Sequence, residues 1–215
     1  MKTAIVGGHG KIALVLTTLI RERGEDVRGL IRDPAQAEDV RAAGGEPVVL
    51  DLEKATDDEI DASLIDCDAI VFAAGAGPGS GAGRKETVDY GGAVRTIEAA
   101  GRAGISRYVM ISSVGADPDA TGDDVFAVYL RAKGRADRVL ADSGLDFTIV
   151  RPVALTDEVG TGRVAVGDRE LEPTVPREDV AEALAEVLMS DETIGLTVNL
   201  STGETLIAEA IAALD

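Results

Sequence analysis

Thr3-Ala4-Ile5-Val6-Gly7-Gly8-His9-Gly10-Lys11-Ile12-Ala13 joins a short apolar strand to a glycine turn and the start of an apolar-periodic helix. Strand, glycine turn and helix in that order build the phosphate-binding corner of a dinucleotide fold. One glycine permits the tight turn, another lets the backbone approach a pyrophosphate, and the small Ala13 lets helix and strand pack closely. The helix N-terminus turns its N–H groups and positive dipole end toward the phosphates. The glycines read in two registers, Gly7-x-x-Gly10-x-x-Ala13 or Gly8-x-Gly10-x-x-Ala13. Gly7, His9, Gly10, Lys11 and Ile12 are the expected cofactor contacts of this corner. At His9, the only histidine of the chain, the backbone matters more than the ring, and no catalytic role falls to it.

Outward from this corner, strands are expected at 2–6, 26–31, 46–50, 68–73, 106–111, 146–150 and 195–201. Helices are expected at 10–23, 34–43, near 57–64, at 85–103, 123–142 and 176–190, and at the C-terminus. Between 151 and 175 the reading is a loop over 151–160 and a short hairpin over 161–172. Ala69-Ile70-Val71-Phe72 and Phe147-Thr148-Ile149-Val150 are apolar on both faces, as in a sheet covered by helices on each side. The pattern implies an α/β, doubly wound, Rossmann-like parallel sheet with right-handed crossovers. One domain spans 1–215, with substrate-side elements mainly in 151–175 and 195–215. The glycine-rich loop 75–83 follows the fourth strand, where ligands collect in open α/β sheets, and reads as a mobile rim.

Composition narrows the partners. The chain of 215 residues is 45% hydrophobic, enough for one sizeable core and too short for two ordinary domains. No apolar run reaches the roughly 18 residues that would span a bilayer, and no signal peptide is expected at the N-terminus. Cys67 is the only cysteine, so no intrachain disulfide can form, and its place before an apolar strand reads as a small buried hydrophobe. The expected compartment is the cytoplasm. The formal net charge of −18 repels nucleic acid and anionic membrane. Its acids are spread over helices and turns, as in Asp57-Asp58-Glu59, which makes a solvated surface rather than an interaction arm. High acid, few lysines and 3% aromatics resemble proteins of salt-accumulating archaea; an ordinary acidic cytosolic enzyme is the alternative. The partner is a small molecule, the assembly a monomer or homodimer, and no metal is called for.

The second strand chooses the cofactor. Arg32 stands nineteen residues after Ala13, about where the adenosine ribose is read. Its planar fork suits a 2′-phosphate, which favours NADP over NAD. Asp33 could accept from a free 2′-hydroxyl, but with Pro34 starting a helix it becomes the N-terminal cap. Lys11 could assist at the same corner. Asp51 and Leu52 after the third strand, and Ala73, Ala74 and Gly75 after the fourth, complete the expected cofactor wall.

Tyr129-Leu130-Arg131-Ala132-Lys133 lies on the helix expected over 123–142, and Lys133 falls within its apolar stripe. A lysine on an inward face needs a partner. Upstream, the strand Tyr108-Val109-Met110-Ile111 ends in Ser112-Ser113 on the ligand side of the sheet.

With these residues the chain resembles the atypical short-chain dehydrogenases/reductases, specifically the NAD(P)-binding NmrA-like group. The resemblance covers nearly all of it. It rests on the glycine turn, Leu30-Ile31-Arg32-Asp33-Pro34, Thr87-Val88-Asp89-Tyr90, Ile111-Ser112-Ser113-Val114-Gly115-Ala116, Tyr129-x-x-x-Lys133, the run from Ser143 to Pro152, and Pro176-Arg177-Glu178-Asp179-Val180-Ala181. The resemblance implies that Lys133 bonds the nicotinamide ribose and lowers the pKa of Tyr129. It implies that Tyr129 exchanges a proton with the substrate oxygen, which Ser113, or else Ser112, holds. Arg151, Pro152 and Val153 are then expected to line the nicotinamide. Asp89 stands where extended members carry asparagine, and it joins Tyr129, Lys133 and Ser113 as a candidate catalytic residue. The activity implied is an NADP-dependent oxidoreductase acting on a small carbonyl, quinone or flavin-like acceptor. An NADP-binding redox sensor and a sugar-nucleotide epimerase or dehydratase are the alternatives, as is a flavin-type reductase that needs no tyrosine.

Overall fold

The computed structural model describes residues 1–77, 79–167 and 171–214. Its first half alternates as expected: β1 (Lys2–Val6), α1 (Lys11–Glu22), β2 (Asp26–Ile31), α2 (Ala37–Ala42), β3 (Glu46–Val49), α3 (Asp57–Ser63) and β4 (Ala69–Phe72). Then come α4 (Ala82–Arg84), a π-helical segment (Lys85–Gly92) continuing into α5 (Ala93–Ala103), β5 (Arg107–Ile111), α6 (Val125–Ala141) and β6 (Asp146–Pro152). The last part holds β7 (Ala154–Thr156), β8 (Arg163–Val166), β9 (Thr174–Pro176), α7 (Arg177–Met189), β10 (Leu196–Thr202), β11 (Thr205–Leu206) and α8 (Ile207–Ala212).

The main sheet has nine strands in the order β11-β8-β10-β6-β5-β4-β1-β2-β3. From β3 to β10 every neighbour is parallel, and β8 runs antiparallel to both β10 and β11 at the edge. Strand order reverses between β1 and β4, and this is the switch point at which a doubly wound sheet opens a crevice.

Period-two alternation sorts the strands' side chains into two cores. Ile5, Val71, Val109 and Val150 pack against Leu16 and Ile20 of α1 and Val180 and Leu184 of α7. Their neighbours Ala4, Val6, Ile70, Phe72, Met110 and Ile149 pack on the other face, with Ile60, Ile97 and Leu140. Both faces are dry, which is why these strands read as unbroken apolar runs rather than alternating ones. Cys67 is buried beside β4, as a small hydrophobe.

Four local expectations change. The loop expected over 151–160 instead carries the end of β6 and the short strand β7. The hairpin expected over 161–172 does not form among the described residues, and its centre at 168–170 lies outside them. β8 pairs instead with β10 and β11, and β9 pairs in parallel with β7 in a small second sheet. The helix expected over 34–43 begins as a 3₁₀ turn (Pro34–Gln36), capped by Asp33, whose Oδ1 accepts from the N–H of Ala35 at 2.9 Å. The helix expected from 85 starts at Ala82 and is wound as a π-helix through Gly92.

Candidate active site

Two adjoining clefts of about 270 and about 960 Å³ open at the carboxyl ends of the parallel strands. Gly10, Ala73, Ala74 and Gly75 wall both. Between them stands the β1–α1 turn. Gly7 has φ +81°, and a Cβ there would sit 2.8 Å from the Cα of Ala74. A Cβ on Gly8 would meet the Cα of Gly29 at 2.6 Å. The N–H groups of Gly7 and Gly8 both donate to the carbonyl of Leu30, at 3.1 and 2.9 Å, locking the turn onto β2. Helix α1 then starts without a capping side chain and without an acid in its first turn. Its leading N–H groups are therefore available to an anion. Bare turn, uncapped helix and flanking clefts fit a dinucleotide.

The smaller cleft collects Gly7, His9, Arg32, Asp51 and Leu52. Arg32 is exposed and makes no hydrogen bond or ion pair among the described residues, while Asp33 is spent on its cap. Burial acts to raise the Asp51 carboxyl, but Lys54 at 3.1 Å, the N–H of Glu53 and the nearby Arg32 charge hold it below the usual carboxylate range. The ring of His9 is tied through Nε2 to Asp39 at 2.7 Å.

The larger cleft brings together Lys11, Ile12, Asp89, Ser113, Tyr129, Lys133, Pro152 and Val153. Lys133 is buried; its Nζ donates to the carbonyl of Ile111 at 2.9 Å and lies 3.7 Å from Asp89 Oδ1. The other oxygen of Asp89 accepts from the N–H of Ala76 at 3.0 Å, so the rim loop after β4 is pinned from below. Tyr129 is half-buried and lies against Phe126, with ring centroids 6.1 Å apart. Ser113 donates to the carbonyl of Val114 at 3.1 Å. Ser112 is committed elsewhere, donating to Asp137 Oδ2 at 2.8 Å. Arg151 also turns to Asp137, its Nε donating at 2.9 Å, so the expected nicotinamide wall keeps Pro152 and Val153 but not the guanidinium. Burial pushes the Asp137 carboxyl up against the pull of Ser112 and Arg151.

Lys11 does not stand free. It donates to Asp157, which also receives Arg177 Nη1 at 2.6 Å, and this bridge ties α1 to the segment after β7. The Lys11 hydrogen bond and the Arg177 charge hold Asp157 below the usual carboxylate range. The wall expected to face the substrate is supplied by Pro152, Val153, Ala154, Leu155, Asp157 and Arg177, and none of the described residues in 195–214 lines either cleft.

Sequence reasoning did not single out Lys85, Phe126 or Asp157. Lys85 stands four residues ahead of Asp89, and Phe126 three ahead of Tyr129, so helical spacing from the chosen residues points to both. Asp157 has no such local signal, because its partners Lys11 and Arg177 are distant in the chain.

A family model described as NAD(P)H-binding matches residues 7–191. The chain is 36% identical over 215 residues to the Bacillus subtilis protein named "Uncharacterized sugar epimerase YhfK", covering 100% of both. A solved structure from Bacillus halodurans, named for an NAD-dependent epimerase/dehydratase, superposes with TM-score 0.92 at 38% identity over 100% of each chain. The oxidoreductase ylbE from Lactococcus lactis superposes with TM-score 0.85 at 30% identity, over 100% of this chain and 96% of that one.

Proposed function

From the premise that the chain belongs to the NAD(P)H-binding family, we propose that it is an NADP-dependent oxidoreductase of the atypical, NmrA-like short-chain dehydrogenase/reductase kind. Its acceptor is a small carbonyl, quinone or flavin-like compound. One observation carries the reading: Ser113, Tyr129, Lys133 and Asp89 wall the same cleft, and that cleft continues from the glycine turn. The chemistry supplied by a bound reduced nicotinamide is a hydride, delivered to the acceptor carbon.

The protein's own residues do the rest. Arg32 receives the 2′-phosphate, and the α1 N-terminus receives the pyrophosphate. Lys133, held by Ile111 and Asp89, would bond the nicotinamide ribose. Tyr129 gives its hydroxyl proton to the acceptor oxygen as the carbonyl π bond opens onto that atom. Ser113 can exchange its bond to Val114 for the same oxygen.

Tyr129→Phe keeps the ring and removes the proton. Turnover is expected to fall about 10²- to 10⁴-fold, the span of general acid catalysis, with NADPH affinity unchanged. Lys133→Met is expected to weaken both. Single-turnover NADPH oxidation beside cofactor titration reads the outcome; a fully active Tyr129→Phe protein rejects Tyr129 as the acid and favours direct hydride transfer of the flavin-reductase type.

The names of the Bacillus relatives favour a second reading, a sugar-nucleotide epimerase that uses the same tyrosine and lysine. Incubation with nucleotide sugars and chromatography of the products separates the two. Epimerised sugar without net NADPH consumption selects the epimerase.

A further inference from the structure

Lys85 is the cation of the larger cleft that the reading above leaves without work. Only 8% of it is exposed, yet among the described residues it has no carboxylate partner. Its Nζ donates to the carbonyl of Gly77 at 3.0 Å and stands 5.2 Å from the centre of the Tyr129 ring. Every other charged group lining this cleft has a partner of opposite sign. Asp89 faces Lys133, and Asp157 faces both Lys11 and Arg177. A buried ammonium with only a carbonyl and an aromatic face is left short of counter-charge, an arrangement that costs stability unless a ligand supplies the anion.

Its surroundings describe that ligand further. Phe126 is 65% exposed and lies beside Tyr129 at an interplanar angle of 30°, which gives the cleft an aromatic shelf. Val153 and Leu155 add apolar wall. Three of the chain's five lysines, Lys11, Lys85 and Lys133, line this one cleft of a protein whose formal charge is −18. The cleft is therefore a local cationic spot on an anionic body, and an anion that enters is held there rather than elsewhere on the surface.

We infer that Lys85 is the specificity-determining residue for the acceptor, and that the acceptor is a planar conjugated carbonyl compound bearing a carboxylate. The conjugated plane lies on the Phe126–Tyr129 shelf, and the carboxylate accepts a charge-assisted hydrogen bond from Lys85. The proposal rests on the oxidoreductase reading for the carbonyl alone; the anion and the shelf follow from Lys85, Phe126 and Tyr129.

Anthraquinone-2-carboxylate and anthraquinone-2-carboxamide share one ring system and differ in charge. Both are assayed by NADPH consumption, and both are titrated by calorimetry into the NADP-loaded protein. The parent is expected to favour the carboxylate by roughly 10- to 100-fold in KM and Kd, the scale of one hydrogen bond to a charged group. Lys85→Met is expected to abolish that preference and Lys85→Arg to retain it, with Lys85→Gln in reserve should the methionine variant not fold. Equal affinity of the parent for both probes overturns the assignment, as does a preference that survives in Lys85→Met. A loss of NADP affinity in Lys85→Met that leaves the preference intact moves Lys85 to the cofactor and overturns it too. Absence of NADPH oxidation with both probes counts against the oxidoreductase reading, and the calorimetric comparison still decides Lys85.

Discussion

Arg32 and Asp33 are adjacent, yet their backbone settings divide the work between them. Asp33 is consumed by the 3₁₀ turn it caps, which leaves the neighbouring guanidinium, exposed in the smaller cleft, without a hydrogen bond among the described residues. A guanidinium that makes no ion pair suits a phosphate better than a hydroxyl. The parent is accordingly expected to bind NADP(H) more tightly than NAD(H), and Arg32→Ala to lose roughly 1.5–3 kcal/mol of that preference. Fluorescence or calorimetric titration of both cofactors measures it; equal affinities in the parent contradict it. Much of this scale is legible in the sequence because a cap is a local matter. Asp33-Pro34, with Gln36 two residues on, declares its turn within four positions. Helical spacing points to Lys85, but its lack of a carboxylate partner was not legible, since that depends on where every other charge in the cleft finds its own.

Among the elements, the strands that could be read are those whose faces are both buried. β1, β4 and β5 bury hydrophobic side chains on two layers, so composition alone marks them. The edge was harder. β8 and β11 are short and partly exposed, and the pairing of β8 with both β10 and β11 is a long-range choice that no local pattern encodes. A hairpin over 161–172 was the nearest local solution, and the sheet edge took β8 instead. The π-helical segment Lys85–Gly92 was equally hidden, for it differs from an α-helix in register and not in composition. Its effect lies at the site: Lys85 and Asp89 are both buried and line the same cleft. Single insertions of this kind recur at functional positions because they re-aim side chains without ending the helix.

For the whole molecule, charge is the dominant property. Thirty-nine acids against 21 basic residues give a body that repels itself when unscreened. At 0.01 M salt the Debye length is about 30 Å, so these charges act across the entire fold, whereas molar salt confines them to their neighbours. The melting temperature is expected to climb steeply between those limits in a thermal-denaturation series, and a flat profile contradicts a salt-adapted surface. The same field makes any resident counter-ion matter. Lys11 leads α1 into the phosphate corner, yet it already holds Asp157, and Asp157 holds Arg177. A pyrophosphate arriving at this corner would be a rival suitor for an engaged cation, and winning it would leave Asp157 to Arg177 alone and free α1 from the strip of chain along the larger cleft. The order of arrival expected from this tether is nucleotide first, acceptor second. Initial-rate and product-inhibition kinetics are expected to show compulsory-order addition in the parent and random-order addition once Asp157→Asn has cut the mooring.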